Sequence, residues 1–179
     1  MKRTAALIAA VALVPMVLLA QRTSFDYDKT ADFSSIKTFA LKDGTKVGDP
    51  LIDKRIVAAI EAELAAKGLT AAAANPDVTV TYHIAFDKKQ DITAYSTGMG
   101  AGYGGYRWGG GWGTTDVRVN EILEGTMVID VANAAKNEIV WRGMGVKEVD
   151  VQAKADKRDK NIASAVKKIL KDFPPKPKK

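Results

Sequence analysis

The chain has 179 residues, no cysteine and one histidine, and its formal net charge is +6 at pH 7. The lack of cysteine excludes disulfide cross-links and thiolate metal sites, and one histidine alone excludes a histidine-rich metal site. This length fits one domain of ordinary size that buries its own apolar core.

Residues 1–20 have the composition and order of a secretory signal. Lys2 and Arg3 provide a positive start, and an apolar run follows from Ala5 to Ala20. Pro15 interrupts that run, which is also shorter than the ~20 residues that span a bilayer, so we expect no transmembrane span in the mature chain. Gln21 stands where a bacterial lipoprotein has its lipid-accepting cysteine. We therefore expect a periplasmic or secreted protein without a lipid anchor.

A strand and then a helix are predicted in the first part of the domain. The segment Ile36–Leu41 alternates like a strand. Asp49 can cap a helix that begins at Pro50, and Gly68 can end this helix in the left-handed conformation. The helix has an apolar stripe formed by Ile52, Ile56, Ile60 and Leu64.

The clearest strand is Asp77–Phe86, in which larger apolar side chains alternate with mostly polar ones. Residues 97–114 follow, and half of them are glycine, which gives too much backbone freedom for a helix or an ordinary strand. We expect a long loop or a disordered excursion there.

Two further strands and a helix complete the predicted domain. Ile122–Val131 and Glu138–Val149 have the pattern of an antiparallel hairpin. A stripe of helical period predicts a helix over Lys157–Phe173, which Pro174 and Pro175 end. The order of elements predicts an α+β fold, a mainly antiparallel β-sheet with two helices packed on one face.

The predicted organisation has three parts. They are a signal peptide at residues 1–20, a single α+β domain at 21–175 with a glycine- and aromatic-rich insertion at 97–114, and a basic tail at 176–179. The tail holds Lys176, Lys178 and Lys179 beside prolines, and such a charged run is usually a solvated, solubilising segment.

Nine short segments, taken in order, match one family of proteins. They are Tyr27–Asp28, Asp32–Ser34, Lys37–Phe39, Asp53–Ile56, Glu63–Leu69, Asp77–Val80, Glu124–Asp130, Ile139–Gly143 and Phe173–Pro175. On these segments the chain resembles, from Tyr27 to Pro175, a family of bacterial envelope proteins, often lipoproteins, known as domain of unknown function 4136. The resemblance implies an envelope location and this architecture, and it brings no established activity or catalytic residues. Gln21 departs from the lipoprotein pattern of many relatives.

The glycine-rich insertion holds the candidate ligand contacts. Its segment Gly100–Gly105 matches G-x-G-x-x-G, but no helical pattern follows to meet a phosphate, so we predict no cofactor. Flat rings on a pliant backbone can stack on sugars or peptides, and an arginine adds charge. The candidate contacts are Tyr103, Tyr106, Arg107, Trp108 and Trp112. The alternative is a low-complexity loop whose rings fold back on the sheet.

His83 lacks catalytic partners that the sequence identifies. A catalytic histidine needs an oriented carboxylate and a nucleophile, and no spacing here supplies them, so we predict no catalytic and no metal-binding residues. We expect His83 to be hydrogen-bonded beside Thr79 and Thr81, or exposed on the polar face of the sheet.

Three features of the predicted hairpin are structural. Asp130 and Arg142 can form a cross-strand ion pair at the surface. Trp141 is expected in the core or on a sheet face. Gly125, Gly143 and Gly145 stand inside strand patterns, which predicts bulges or a close backbone approach under a helix or a large ring.

The sequence thus favours a non-enzymatic binding or scaffolding module of the bacterial envelope. Its expected partners are a cell-wall polymer, an outer-membrane component or another envelope protein, and nucleic acid is not among them. A rival hypothesis is a hydrolase that acts on cell-wall or glycan substrates through carboxylates such as Asp116 or Glu121. Another is a structural protein tethered by an uncleaved N-terminal segment, since Leu18 is bulky where signal peptidase prefers a small residue.

Overall fold

The protein is a sheet with two helices on one of its faces. The structure is a computed structural model that describes residues 22–45, 47–96 and 115–176, with the backbone alone for 90–96 and 115–121. Within these residues the strands are β1 (Arg22–Tyr27), β2 (Thr38–Leu41), β3 (Thr70–Ala71), β4 (Val78–Ser96), β5 (Thr115–Asn133) and β6 (Glu138–Glu148). The helices are α1 (Pro50–Ala66) and α2 (Ala155–Ile169), and α2 is followed by a 3₁₀ turn at Leu170–Asp172.

The strands lie in the order β1-β6-β5-β4-β2-β3. β1, β6, β5 and β4 form antiparallel pairs, whereas β2 runs parallel to both β4 and β3. The parallel pairing arises because α1 returns the chain to the starting end of the sheet before β3 and β4 begin. The predicted α+β fold with a mainly antiparallel sheet is confirmed.

The core lies between the sheet and the two helices. α1 buries Ile56, Ile60 and Leu64, and α2 buries Val166 and Ile169. From the strands the same cluster receives Phe39, Val78, Val80, Tyr82, Ile129, Val131 and Trp141. Each large apolar side chain that is fully buried contributes about 1.5–3 kcal/mol to the free energy of folding, so this layer is the main source of stability.

Helix α1 begins and ends as the sequence predicts. The carboxylate of Asp49 accepts a hydrogen bond of 2.8 Å from the backbone N–H of Leu51, and Pro50 occupies the first helical position. Gly68, just beyond the helix, has φ of +87°, which a residue with a side chain rarely adopts. The cap and stop signals are both confirmed.

Two predicted strand boundaries are wrong. β4 runs on to Ser96 rather than ending at Phe86, and β5 begins at Thr115 rather than at Ile122. A polar run at residues 87–91 interrupts the hydrophobic alternation of β4, and Asn120 and Glu121 interrupt that of β5, but backbone hydrogen bonds between paired strands need no apolar side chains. Because β6 joins β5 only from residue 124 onward, residues 88–96 and 115–123 pair as a two-stranded arm beyond the wide sheet.

The predicted order of elements also lacks β1 and β3. Both lie at the edges of the sheet, where β1 is mostly exposed and β3 has two residues. Short edge strands carry little hydrophobic pattern. The last helix ends at Ile169 rather than Phe173, and the 3₁₀ turn brings Leu170 and Phe173 into the core instead.

Trp141 is fully buried, and its ring lies over Gly143 on the same strand. A Cβ atom at Gly143 would collide with that ring and would lie 2.8 Å from Cγ2 of Ile169 on α2. The ring of Phe173 packs edge-on against Trp141, with ring centroids 5.3 Å apart. The expected burial of Trp141 and the close approach at Gly143 are confirmed.

The predicted signal peptide at 1–20, the insertion at 97–114 and tail residues 177–179 lie outside the described residues. These assignments stay predictions. In the part of the chain that is described, no helix combines the length and the apolar character needed to cross a bilayer.

Candidate functional site

A cleft opens between α1, α2 and the end of the sheet from which the arm extends. Its volume is about 340 Å³, in the lower part of the roughly 300–1,000 Å³ range of small-molecule sites. The lining is mostly hydrocarbon, and its larger apolar side chains are Ile52, Ile56, Ile84, Phe86, Leu123, Met127, Ile162 and Ile169. The cleft is thus an extension of the core that reaches the surface.

Gly125 on β5 shapes the floor of the cleft. A Cβ atom there would lie 2.8 Å from Cγ2 of Val149 and 3.4 Å from Cε1 of Phe86. Without that atom, Phe86 and Val149 close over the strand from its two sides. Phe86 is 46% exposed, so its ring forms an apolar edge of the opening.

Two cationic side chains line the same cleft. Lys147 on β6 donates a hydrogen bond of 2.9 Å from Nζ to Oδ1 of Asn161 on α2. Burial, and then the positive charges of Lys168 and Lys157, lower the pKa of Lys147 below its ordinary value. The charged form of Lys147 is therefore held in a site that partly disfavours it.

Arg158 stands one turn before Asn161 on α2, so both side chains lie on the same side of the helix. Its Nε atom is buried and has no hydrogen-bond partner among the described residues. A buried N–H donor is ordinarily satisfied, and an orphaned one is a sign of a missing water, ion or ligand. Arg158 and Lys147 therefore give the cleft an unsatisfied positive end.

The carboxylates nearest this end do not neutralise it. Asp150 lines the cleft but binds Nζ of Lys157 at 2.9 Å. Glu148 also lines the cleft, but it is exposed to solvent. Asp159 is paired with Arg55 of α1 at 2.7 Å.

The face of the sheet away from the helices carries a polar cluster. Arg142 on β6 donates two hydrogen bonds to Asp130 on β5, of 2.6 Å from Nε to Oδ1 and 2.7 Å from Nη2 to Oδ2. The hydrogen bonds and the charge of Asp130 raise the pKa of Arg142 further above its ordinary value. The predicted ion pair is confirmed, but it is not a surface pair, because the Asp130 side chain is only 5% exposed.

His83 lies on this polar face and is 44% exposed. Its Nδ1 accepts a hydrogen bond of 3.2 Å from the backbone N–H of Thr45 and lies 3.0 Å from the Thr45 hydroxyl. Its Nε2 faces Oδ2 of Asp130 at 4.0 Å. His83 is therefore hydrogen-bonded and partly exposed on the polar face, and its partner is Thr45, which a parallel bridge beside β4 brings close.

The predicted ligand contacts all lie outside the described residues. They are Tyr103, Tyr106, Arg107, Trp108 and Trp112. Asp116 and Glu121 of the rival hydrolase hypothesis lie on β5 in the arm, where the backbone alone is described. Within the described residues no three His, Cys, Asp or Glu side chains are grouped as a metal site.

Sequence reasoning missed Lys147, Asn161 and Arg158. Their spacing follows no motif, because one comes from a strand and two from a helix. The sequence contains one signal for this site: Lys147 lies in the row of β6 that faces the apolar core, two residues before Val149. A charge in a core-facing row requires a partner or an opening to solvent.

Solved structures of other proteins share the fold. A PDZ domain protein from Parabacteroides distasonis matches with a TM-score of 0.55 and 16% identity, over 88% of this chain. The match covers 37% of that protein, so this chain spans little more than a third of its length. A PelC dodecamer from Paraburkholderia phytofirmans matches with a TM-score of 0.50 and 9% identity, over 84% of this chain and 95% of the PelC chain. At these identities the likeness shows the fold alone.

Among curated proteins, none matches this sequence. A family model does match, and it covers almost the whole described chain. The family is Domain of unknown function (DUF4136), and the match extends over residues 23–175. The resemblance that the short segments indicate is thereby confirmed, and the chain belongs to the DUF4136 family.

Proposed function

We propose that this protein is an exported module of the bacterial envelope that binds an apolar ligand in the cleft between its helices and its sheet, and that it is not an enzyme. The observation that carries the proposal is the cleft itself. Its volume of about 340 Å³ and its hydrocarbon lining match the ordinary form of a small-molecule site, in which a few polar groups fix the orientation of the ligand.

The geometry of His83 favours binding over catalysis. A general base needs an unprotonated ring nitrogen that faces the substrate. In neutral His83 the acceptor nitrogen is Nδ1, because the N–H of Thr45 donates to it. Nε2 then carries the proton and faces Asp130. This arrangement holds the segment after β2 against the sheet and leaves the imidazole without a free acceptor.

The envelope location rests on the sequence. Residues 1–20 combine a positive start with a short apolar run, as secretory signals do. A cell-wall polymer, an outer-membrane component and another envelope protein remain the expected macromolecular partners. An apolar cleft adds to these a small ligand drawn from the same compartment.

The binding proposal is tested with a neutral apolar dye, N-phenylnaphthylamine, whose fluorescence rises in hydrocarbon surroundings. We expect the purified protein to bind the dye. Ala165→Phe places a large ring in the cleft lining and should weaken binding about tenfold or more. Ala163→Phe adds the same ring at an exposed position of the same helix and should leave binding unchanged.

Both variants are first compared with the unaltered protein by circular dichroism and thermal melting. Equal dye binding by both folded variants would place the dye elsewhere on the protein. Absence of dye binding by the unaltered protein, after extraction of any bound lipid, would overturn the proposed function.

A further inference from the structure

The cleft joins two kinds of surface that a single ligand can satisfy together. One is the hydrocarbon wall built from both helices and the sheet, and the other is the positive end at Lys147 and Arg158. We infer that the cleft binds a free fatty acid, with its chain along the apolar wall and its carboxylate on Lys147 and Arg158. This inference rests on the proposed binding function of the cleft and names its ligand.

Arg158 supplies the first reason for an anionic head group. Its Nε–H is buried without a hydrogen-bond partner among the described residues. A guanidinium presents its donors as a planar fork that matches a carboxylate, and a bond between the two charged groups is stronger than a neutral one. A carboxylate at the cleft end of Arg158 would satisfy the buried donor.

Lys147 supplies the second reason. Its ammonium group has three donors, and Oδ1 of Asn161, at 2.9 Å, takes one of them. Lys168 and Lys157 add positive charge around it, and burial further disfavours its charged form. A bound anion would offset both effects, because an opposite charge at close range favours the protonated amine.

The size of the cleft favours a single chain. A volume of about 340 Å³ leaves room for one acyl chain of medium length and not for a two-chain phospholipid. The planar fork of the Arg158 guanidinium also matches the two oxygens of a carboxylate. The occupant that fits both limits is a medium-chain fatty acid such as laurate.

The test compares laurate with dodecanol, which has the same chain and no charge. Each is titrated, below its micelle concentration, against the delipidated protein, and displacement of N-phenylnaphthylamine is followed. We expect the Kd of laurate to be lower than that of dodecanol by about tenfold or more. This is the ratio expected for one charge-assisted hydrogen bond. Equal affinities would overturn the fatty-acid assignment and leave the proposed apolar binding function standing. Failure of both to bind would overturn both.

Variants locate the head group. Lys147→Met and Arg158→Met keep chain length and remove charge, and each should abolish most of the preference for laurate while dodecanol binds as before. Lys160→Met is the matched control, because Lys160 lies at an exposed position of the same helix and is not among the residues that line the cleft. It should keep the preference.

Retained dodecanol binding shows that a charge-removing variant has kept its folded cleft. If Lys160→Met loses as much preference as Lys147→Met, general charge attraction explains the effect and the assigned contacts are wrong. Dodecyl phosphate binding more tightly than laurate would likewise overturn the carboxylate assignment.

Discussion

Arg142 donates two hydrogen bonds to Asp130. The carboxylate of Asp130 is buried, whereas the guanidinium of Arg142 is exposed to solvent. The Asp130 side chain is 5% exposed and the Arg142 side chain 55%. Removing Arg142 therefore strands a nearly buried carboxylate, whereas removing Asp130 leaves a guanidinium that water can solvate. The pair ties β5 to β6 on the face of the sheet that the helices leave open.

We expect the interaction energy of this pair to be about 1–2 kcal/mol. This value lies above the roughly 0–1 kcal/mol of exposed pairs and below the 3–5 kcal/mol effects seen when fully buried pairs are broken. A double-mutant cycle with Asp130→Ala and Arg142→Ala, measured by urea unfolding, gives the energy. Arg142→Ala should destabilise the protein more than Asp130→Ala, and the opposite order would show that the carboxylate is well solvated without its partner.

Gly143 should tolerate no side chain. Gly143→Ala places a methyl group against the Trp141 ring and 2.8 Å from Cγ2 of Ile169, so we expect a loss of about 1–3 kcal/mol in the free energy of unfolding. Gly48→Ala is the control, because nothing lies within 4 Å of the added atom. Equal stability of the two variants in urea would mean that the ring moves aside freely.

The carboxylate of Asp77 should make stability depend on acid. It accepts hydrogen bonds from the backbone N–H groups of Lys37 and Thr38 at 2.9 Å and 2.8 Å, and the bond from Lys37 is the largest cause of a pKa below the ordinary 3.8. A lowered folded-state pKa contributes stability that is present above the unfolded value and lost as pH falls through the folded value.

Asp77→Asn should therefore lower the melting temperature at pH 7, and the difference from the unaltered protein should shrink as pH falls below about 4. Glu61→Gln, at an exposed position of α1, is the control for the loss of one negative charge. A difference that stays constant across this acid range would show that charge on Asp77 contributes nothing.

The aromatic insertion remains a candidate contact surface for a large partner. If it binds, Trp108 and Trp112 should contribute most, because exposed indoles combine a large apolar area with a donor. We expect the double change to alanine to weaken retention on purified cell wall, polysaccharide or outer-membrane vesicles without changing the melting temperature. Equal retention of both proteins would remove the reason to assign a site to residues 97–114.

Export has a direct test. We expect the intact mass of the mature protein to correspond to a chain that starts near Gln21, and the protein to remain in the soluble fraction after a high-salt wash. A species that still carries Met1, or that stays with membranes, would favour the tethered alternative.

The elements with strong periodicity could be predicted from the sequence, and the pairing of weak strands could not. α1 has a cap, a stripe and a stop, so its bounds follow from local chemistry. β4 has five polar residues in a row directly after Phe86, and the pairing of its far half with β5 becomes visible only across the hairpin. β1 lies at a sheet edge and its residues are mostly exposed, so buried and exposed positions do not alternate along it.

The cleft could not be predicted for a different reason. Its wall comes from two helices and three strands, and a hydrophobic pattern reports which side chains face inward without reporting where they fail to fill the space. Even so, Lys147 in an apolar row is a local conflict, and such conflicts tend to mark functional positions.

The position of β1 in the sheet determines when this strand can fold relative to the rest of the chain. β1 pairs with β6, and Arg22 lies opposite Val146. β1 therefore cannot join the sheet until β6, the last strand of the chain to be described, is available. Contacts this far apart in sequence form late and slowly. Residues 22–27 thus stay unpaired with β6 until nearly the whole chain is available, and under the export proposal this order would leave them accessible while the chain crosses a membrane.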